Sequence, residues 1–171
     1  MSPQNMDDLD VIMQQWKHVG LETDADAIKV VGRILRIAKT IEQQLAELHR
    51  TFDLKPGEFD VLATLKRENK CYLTPSELYQ SMLLTSGAMT SRLDRLEQKM
   101  LIQRKHCQQD RRKVLVSLTS SGKKLINTAY PAHFVLLEKL LSSIENKDKA
   151  LLANLLKLTL ASIDSSTIDT L

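Results

Sequence analysis

Residues that interrupt helices are scarce in this 171-residue sequence, which contains five glycines and four prolines. Strand-rich folds need many turns, and turns draw on glycine and proline, so this scarcity favours a mainly helical protein. The length is that of one ordinary domain. Cysteine is also rare, since Cys71 and Cys107 are too few for a disulfide framework and lack paired C-x-x-C spacing. We therefore expect a helical protein with reduced thiols.

Long apolar runs and catalytic signatures are absent as well. No run approaches the roughly 20 residues that cross a bilayer, and the acidic start MSPQNMDDLD does not resemble a signal peptide. The sequence has no phosphate-cradling glycine loop, no G-x-S-x-G elbow and no dinucleotide fingerprint. We therefore expect a cytoplasmic protein that is not an enzyme, requires no cofactor and has no membrane partner.

The charge that is present is distributed unevenly. Lys and Arg total 24 against 21 Asp and Glu, which gives a net charge of +3. Residues 85–113 alone contain eight basic and three acidic residues, a local charge of +5, while the rest of the chain carries −2. Such a patch predicts a site for a polyanion or for a small anion.

The first 54 residues are predicted to form two helices. Apolar residues recur at helical spacing from about 6 to 19 and again from about 24 to 52. The second helix is too long to be buried within so small a monomer, which predicts a homodimer. Residues 1–54 are thus interpreted as an extra helix followed by a dimerisation helix. The apolar stripe of the dimerisation helix consists of Ile34, Ile37, Ile41, Leu45 and Leu48.

Residues 55–119 have the pattern of a winged helix-turn-helix domain. Thr74-Pro75-Ser76-Glu77 is a capping box with proline at the first helical position, which predicts a short helix. After a break at Thr85-Ser86-Gly87, another helix is predicted to reach about Lys99. The period then changes to two at 101–104 and 114–118, which predicts a hairpin with a basic tip.

Residues 120–171 are interpreted as C-terminal dimerisation helices, over about 121–143 and 146–164. The predicted fold class is therefore mainly α with a small β-hairpin.

The helix after the turn has one apolar face and one polar face. Met89, Leu93, Leu96 and Met100 form a stripe that is expected to face the domain. A charged helix face is often only solvated surface, but the order of helix, turn, helix and basic hairpin favours DNA binding. The predicted DNA contacts are Ser86, Thr90, Ser91 and Arg95 on the helix and Arg111, Arg112 and Lys113 in the hairpin tip.

These segments resemble the MarR family of dimeric bacterial regulators. The resemblance rests on Pro75-Ser76-Glu77-Leu78, on the run TSGAMTSRLDRLE at 85–97, and on Asp110-x-Arg112-x5-Leu118-Thr119. It implies a winged-helix homodimer that binds a pseudo-palindromic operator, usually as a repressor. It also implies that Arg112 enters the minor groove and that Asp110 holds the shape of the wing. One departure is Met100, where the family commonly has glycine.

A ligand site is also predicted near the recognition helix. Arg92 lies at the edge of the apolar stripe and needs an anionic partner, while Asp60 lies in an otherwise apolar helix and needs a cation. Either the two side chains pair with each other as a structural ion pair that stabilises the helix, or they form part of a binding site.

One branch of the family, the urate-responsive regulators, is similar at four positions, represented here by Trp16, Asp60, Arg92 and Arg104. The resemblance implies that a ligand disturbs the Asp60–Arg92 contact and shifts the recognition helix. An indole and two guanidiniums suit a planar, anionic, urate-like effector. Packing for Trp16 and phosphate contact for Arg104 remain the alternatives.

Other functions remain open. A broad phenolic or drug sensor shares the same fold, and thiol sensing through Cys71 or Cys107 is a second possibility. A metal sensor is disfavoured because no two of the four histidines are spaced i, i+4 on a helix. The histidines are His18, His49, His106 and His133. A purely structural helical dimer would bind DNA weakly and without a steep dependence on salt.

Overall fold

The computed structural model describes residues 6–20, 25–55, 57–68, 70, 72–82, 89–107, 110 and 112–168. The predicted fold class is confirmed, because these residues form helices and one small hairpin. In chain order the elements are α1 (Asp8–His18), α2 (Ala25–Thr51), α3 (Glu58–Arg67), α4 (Pro75–Ser81), α5 (Met89–Gln98), β1 (Ile102–His106), β2 (Val114–Leu118), α6 (Ser120–Leu140) and α7 (Asn146–Ile168).

The extra amino-terminal helix α1 is fixed along α2. Asp7 caps α1 by accepting a hydrogen bond from the backbone of Asp10, and both carboxylates also bind Arg33 of α2, at 2.8 and 3.0 Å. Leu9 packs so closely on Gly32 that a Cβ there would lie 2.8 Å from its Cδ2 atom. Ion pairs and a close approach thus hold α1 on α2.

The helix-turn-helix region has one apolar core, to which α3, α4, α5, both strands and α6 contribute. The capping box of α4 is confirmed: Thr74 accepts from the Glu77 N–H at 3.2 Å, and Glu77 accepts from the Thr74 N–H at 2.8 Å. The fully buried side chains include Val61, Leu62, Leu73, Leu78, Leu96, Val116 and Ile126. Burying each such side chain contributes about 1.5–3 kcal/mol.

The wing is an antiparallel hairpin in which Ile102 pairs with Leu118 and His106 with Val114. A feature that the sequence analysis did not predict is a third, single-residue strand at Leu73. Its N–H donates to the Val116 carbonyl at 2.9 Å, and the Val116 N–H donates to the Leu73 carbonyl at 2.7 Å. This pairing joins the start of α4 to the base of the wing.

The turn between α5 and β1 centres on Met100, whose φ of 55° lies in the left-handed region. The Leu101 N–H donates to the Leu96 carbonyl at 2.9 Å, and the Met100 N–H donates to the Glu97 carbonyl at 2.8 Å. This is the Schellman pattern that commonly ends a helix with glycine. The turn has its usual hydrogen bonds, and Met100 carries the backbone strain that glycine would avoid.

Apolar side chains remain exposed on the helices outside this core. On α2 they are Ile28, Val30, Val31, Leu35 and Ile37, and on α7 they are Leu151, Leu152, Leu155, Leu156, Leu158, Leu160 and Ile163. Isolated exposed apolar residues are ordinary, but contiguous apolar faces mark interaction surfaces. Within the described part of the chain, none of the helices has the length and apolar character needed to cross a membrane.

Candidate nucleic-acid interface and ligand site

The recognition helix α5 packs by Leu93 and Leu96 of the predicted apolar stripe, but the prediction is wrong for Met100, which follows the end of α5 in the left-handed turn and is 73% exposed. Leu93 and Leu96 are buried, whereas Thr90 and Gln98 are exposed and Ser91 and Arg95 are partly exposed. Of the other predicted DNA contacts, Arg112 and Lys113 are exposed in the wing, while Ser86 and Arg111 lie outside the described residues. Two separate elements therefore present polar and basic side chains at the surface.

Asp110 organises the described part of the wing tip. Its Oδ1 atom accepts a hydrogen bond from the Arg112 N–H at 3.1 Å, and its carbonyl accepts from the Lys113 N–H at 2.9 Å. The Cys107 N–H in turn donates to the Lys113 carbonyl at 2.9 Å. An aspartate that bonds to the backbone two residues ahead stabilises a turn, which is the geometry that the wing-structuring role requires.

One flank of α5 is joined to α3 through the buried carboxylate of Glu58. This residue is inaccessible to solvent, and its oxygens accept from Arg95 Nε at 2.7 Å, from Lys99 Nζ at 3.2 Å and from the Lys55 N–H at 3.0 Å. Burial raises the pKa of Glu58, but these three hydrogen bonds outweigh it and lower the pKa overall. Glu58 is thus an ionised carboxylate paired with two cations of the recognition helix.

Asp60 of α3 lies within electrostatic range of Arg92 of α5. Burial raises the pKa of Asp60, and the positive charges of Arg92 and His133 partly offset that rise. The guanidinium of Arg92 lies against the backbone of Gly57, where φ is 80° and an added Cβ would lie 2.6 Å from Nε. The close approach of Arg92 to α3 therefore requires the absence of a side chain at Gly57.

The opposite flank of α5 is joined to the wing through Arg104. Its Nη2 atom donates to Asp94 at 2.7 Å and to Glu97 at 2.5 Å, and its Nε atom donates to Glu97 at 2.8 Å. The hydrogen bonds from Arg104 lower the pKa of Glu97. Arg104 therefore neutralises two acidic side chains of the recognition helix.

The four residues of the predicted ligand site lie in three different places in the structure. Asp60 and Arg92 interact, and Arg104 is held by the carboxylates on the far flank of α5. Trp16 lies on α1, which packs on α2, and is 46% exposed.

A stacked pair of histidines was not predicted. His49 of α2 stacks on Phe59 of α3 with ring centroids 4.2 Å apart, and its Nε2 atom lies 3.2 Å from Nδ1 of His133 of α6. Burial and the nearby His133 lower the pKa of His49 to about 4. The pair lies 84 positions apart in the chain, so no local spacing in the sequence indicates it.

The described residues contain no group of three His, Cys, Asp or Glu side chains placed to hold a metal ion. Cys107 is a partly buried free thiol next to the wing, and Cys71 lies outside the described residues.

Comparisons with known proteins agree on one family. The model of the MarR family matches residues 54–114. The transcriptional regulator PecS of Dickeya dadantii is 34% identical over 146 residues, which cover 85% of this chain and 88% of that protein. A mutant MarR from E. coli complexed with operator DNA has a TM-score of 0.68 at 27% identity, covering 81% of this chain and 99% of that one. AbsC, a MarR family regulator from Streptomyces coelicolor, has the same fold with a TM-score of 0.73 at 19% identity, covering 85% of this chain and 98% of that one.

Proposed function

The chain belongs to the MarR family of DNA-binding transcriptional regulators, and we propose that it is a repressor released from its operator by a planar anion such as urate. The observation that carries the effector proposal is the electrostatic interaction of Asp60 on α3 with Arg92 on α5, because it couples a partly buried carboxylate to a guanidinium of the recognition helix. A small anion that competes for the guanidinium of Arg92 changes how α5 is held against α3.

The DNA-binding role is assigned to α5 and the wing. In this proposal Ser86, Thr90, Ser91 and Arg95 lie in the major groove, and Arg111, Arg112 and Lys113 contact the minor groove or the phosphates. Asp110 supports this arrangement, since its hydrogen bonds to Arg112 and Lys113 shape the wing. The local charge of +5 over residues 85–113 supplies the attraction to the phosphate backbone.

A homodimer is proposed for the same function. The exposed apolar faces of α2 and α7 need a cover, and residues 1–54 and 120–171 supply the helices that would pack against a second copy. Two copies related by a two-fold axis would present two copies of α5 to the half-sites of a pseudo-palindromic operator. Sedimentation velocity should then give the mass of two 19.4 kDa chains, and a monomer would contradict this part of the proposal.

The effector site combines Asp60 and Arg92 with Trp16 and Arg104. Arg104 takes part by exchanging its carboxylate partners Asp94 and Glu97 for the ligand, and Trp16 supplies a flat stacking surface. Trp16 is the only tryptophan in the sequence, so any change in tryptophan fluorescence arises at α1. Urate should change that fluorescence in a saturable way.

The experiment that tests the whole proposal selects genomic DNA fragments on the purified protein in four conditions: with urate, with salicylate, after peroxide treatment and without any addition. Recovery of a pseudo-palindromic site that urate removes supports the proposal. Removal by salicylate but not by urate would instead indicate a broad phenolic sensor of the same fold. Loss only after peroxide treatment would indicate thiol sensing, and recovery of no preferred fragment would contradict sequence-specific binding.

A further inference from the structure

Three cations, two on the recognition helix and one at the residue that directly follows it, have spacings i, i+3 and i+7 and so fall on one face. They are Arg92, Arg95 and Lys99, and all three contact the amino-terminal end of α3 or the residues before it. Charged residues on a DNA-binding helix are usually expected to face the phosphates. Here two of them share one buried acceptor, Glu58, so part of the basic face is directed at the protein itself.

We propose that Glu58 is a positioning residue for operator recognition, which acts by holding Arg95 in the orientation in which it binds DNA. This inference rests on the proposed DNA-binding function. Glu58 is completely buried, so any effect on recognition passes through its partners.

The contacts of Arg95 fit this role. Its Nε atom donates to Glu58 at 2.7 Å and its Nη1 atom to Ser91 Oγ at 3.4 Å, while a third of the side chain, 33%, remains exposed. A guanidinium has five N–H donors, so donors remain for a phosphate or a base edge. An arginine already fixed at one edge loses less conformational freedom when it binds, and preorganisation of this kind strengthens specific binding.

Lys99 completes the arrangement by using the second oxygen of Glu58. It lies 3.2 Å from Glu58 Oε2 and 3.4 Å from the carboxylate of Asp53, and it also donates to the Asp53 carbonyl just beyond the end of α2. The carboxylate therefore stays ionised although it is buried. The same network connects the end of the dimerisation helix to α3 and to α5.

The inference makes a prediction opposite in sign to simple electrostatics. Removing a negative charge close to the interface should by itself strengthen binding to any DNA, because the protein becomes more basic. If Glu58 acts by positioning Arg95, its loss should weaken binding to the operator and should leave binding to unrelated duplex unchanged or stronger.

The test compares the wild type, Glu58→Gln, Arg95→Met and the double variant by fluorescence anisotropy. The probes are a labelled duplex recovered by the genomic selection and a scrambled duplex of the same length. We expect Glu58→Gln to weaken operator binding by about tenfold, the scale of one specific arginine contact, without weakening binding to the scrambled duplex. In the Arg95→Met background the same substitution should add no further loss.

Two controls keep the result decisive. Thermal unfolding of each variant establishes that it is folded at the assay temperature. Glu58→Asp keeps the charge but withdraws the carboxylate from Arg95 by one methylene, so it should also lose operator preference; it replaces Glu58→Gln if that variant is unfolded. Two results would overturn the role of Glu58. One is that the wild type prefers the operator and the Glu58 variants keep the same preference. The other is that the losses of affinity from the Glu58 and Arg95 substitutions add up in the double variant. A wild type without preference for any duplex would overturn the proposed function as well.

Discussion

The guanidinium of Arg92 lies against the backbone of Gly57, in space that a single methyl group would fill. An ideal Cβ at Gly57 would lie 2.6 Å from the Nε atom of Arg92, far inside van der Waals contact. The helix that carries Arg92 is the proposed DNA reader, and Gly57 immediately precedes the helix that carries Asp60 and Glu58. The closeness of these two residues makes the contact between α3 and α5 sensitive to substitution.

Gly57→Ala should therefore destabilise the protein through two effects. The backbone at Gly57 has a φ of 80°, and a left-handed residue with a Cβ costs about 1–2 kcal/mol. The new methyl group also displaces the guanidinium of Arg92 from its place against α3. The free energy of unfolding in urea should consequently fall by more than backbone strain alone explains, and the affinity for urate should change.

Gly20→Ala is the matched control, because Gly20 has nearly the same φ, 78°, and no heavy atom within 4 Å of an added Cβ. It should show the backbone cost alone and retain the urate response. Equal losses of stability for the two variants would mean that Arg92 moves away from Gly57 without cost.

Met100→Gly should stabilise the protein. Met100 has a φ of 55° and is 73% exposed, so the substitution relieves strain and removes little buried surface. We expect a gain of about 0.5–1 kcal/mol in the free energy of unfolding, since the strain exceeds the entropic cost of glycine. Gln98→Gly, two residues earlier in the last turn of α5, should lose about 1 kcal/mol, and a loss at both positions would contradict the explanation.

Stability should fall at mildly acidic pH because of His49. In the unfolded chain this histidine takes up a proton near its usual pKa of 6.5, but in the folded protein its pKa is about 4. The folded state is therefore favoured fully above pH 6.5 and loses this advantage as the pH falls toward 4, by at most about 3 kcal/mol. Asp60 and His133, which lie in the same cluster, also titrate and modify the curve.

His49→Phe removes the titrating group while keeping an aromatic ring to stack on Phe59. Its unfolding free energy should depend less on pH between 6.5 and 4 than that of the wild type. His18→Gln is the control, since His18 is exposed on α1 and bonds to a carbonyl of its own helix. An unchanged pH dependence in His49→Phe would show that another group controls acid stability.

Arg112→Ala should weaken operator binding by about tenfold. It should also reduce the slope of log affinity against log salt concentration by about one, the value for one lost phosphate contact. Arg112 is exposed in the wing, where only its backbone N–H is bonded to Asp110, so its loss removes a DNA contact without disturbing the core. The measurement is the slope of log affinity against log salt concentration. Lys147→Ala removes an exposed cation on α7 and should change neither quantity; equal effects of the two variants would show that net charge alone matters.

The helices and the hairpin could be predicted because their signals are local. The capping box at Thr74 and Glu77 starts α4 where expected, and the change of period after Met100 marks the wing. The differences between prediction and structure lie mostly at helix ends. The helix predicted to reach about residue 143 corresponds to α6, which ends at Leu140. Helix ends depend on a few terminal hydrogen bonds, which periodicity does not specify.

The partners of individual charged residues could be predicted only in part. An interaction of Asp60 with Arg92 is predicted because each charge needs a partner near the core, and in the structure the positive charge of Arg92 lowers the pKa of Asp60 against the effect of burial. The burial of Glu58 under Arg95 and Lys99 depends on how α3 crosses α5, and no sequence pattern encodes that angle. The same holds for the contact of Arg104 with Glu97 and for the pairing of Leu73 with Val116.

The central claim, that a planar anion releases this protein from its operator through Arg92, is tested most directly by titrating urate into the complex with a labelled operator duplex. The measurement is fluorescence anisotropy for the wild type and for Arg92→Met. The account predicts that urate releases the wild type in a saturable way and that Arg92→Met, if it still binds the duplex, is not released. A wild-type complex that keeps its anisotropy at saturating urate, or a variant that responds equally, would contradict it.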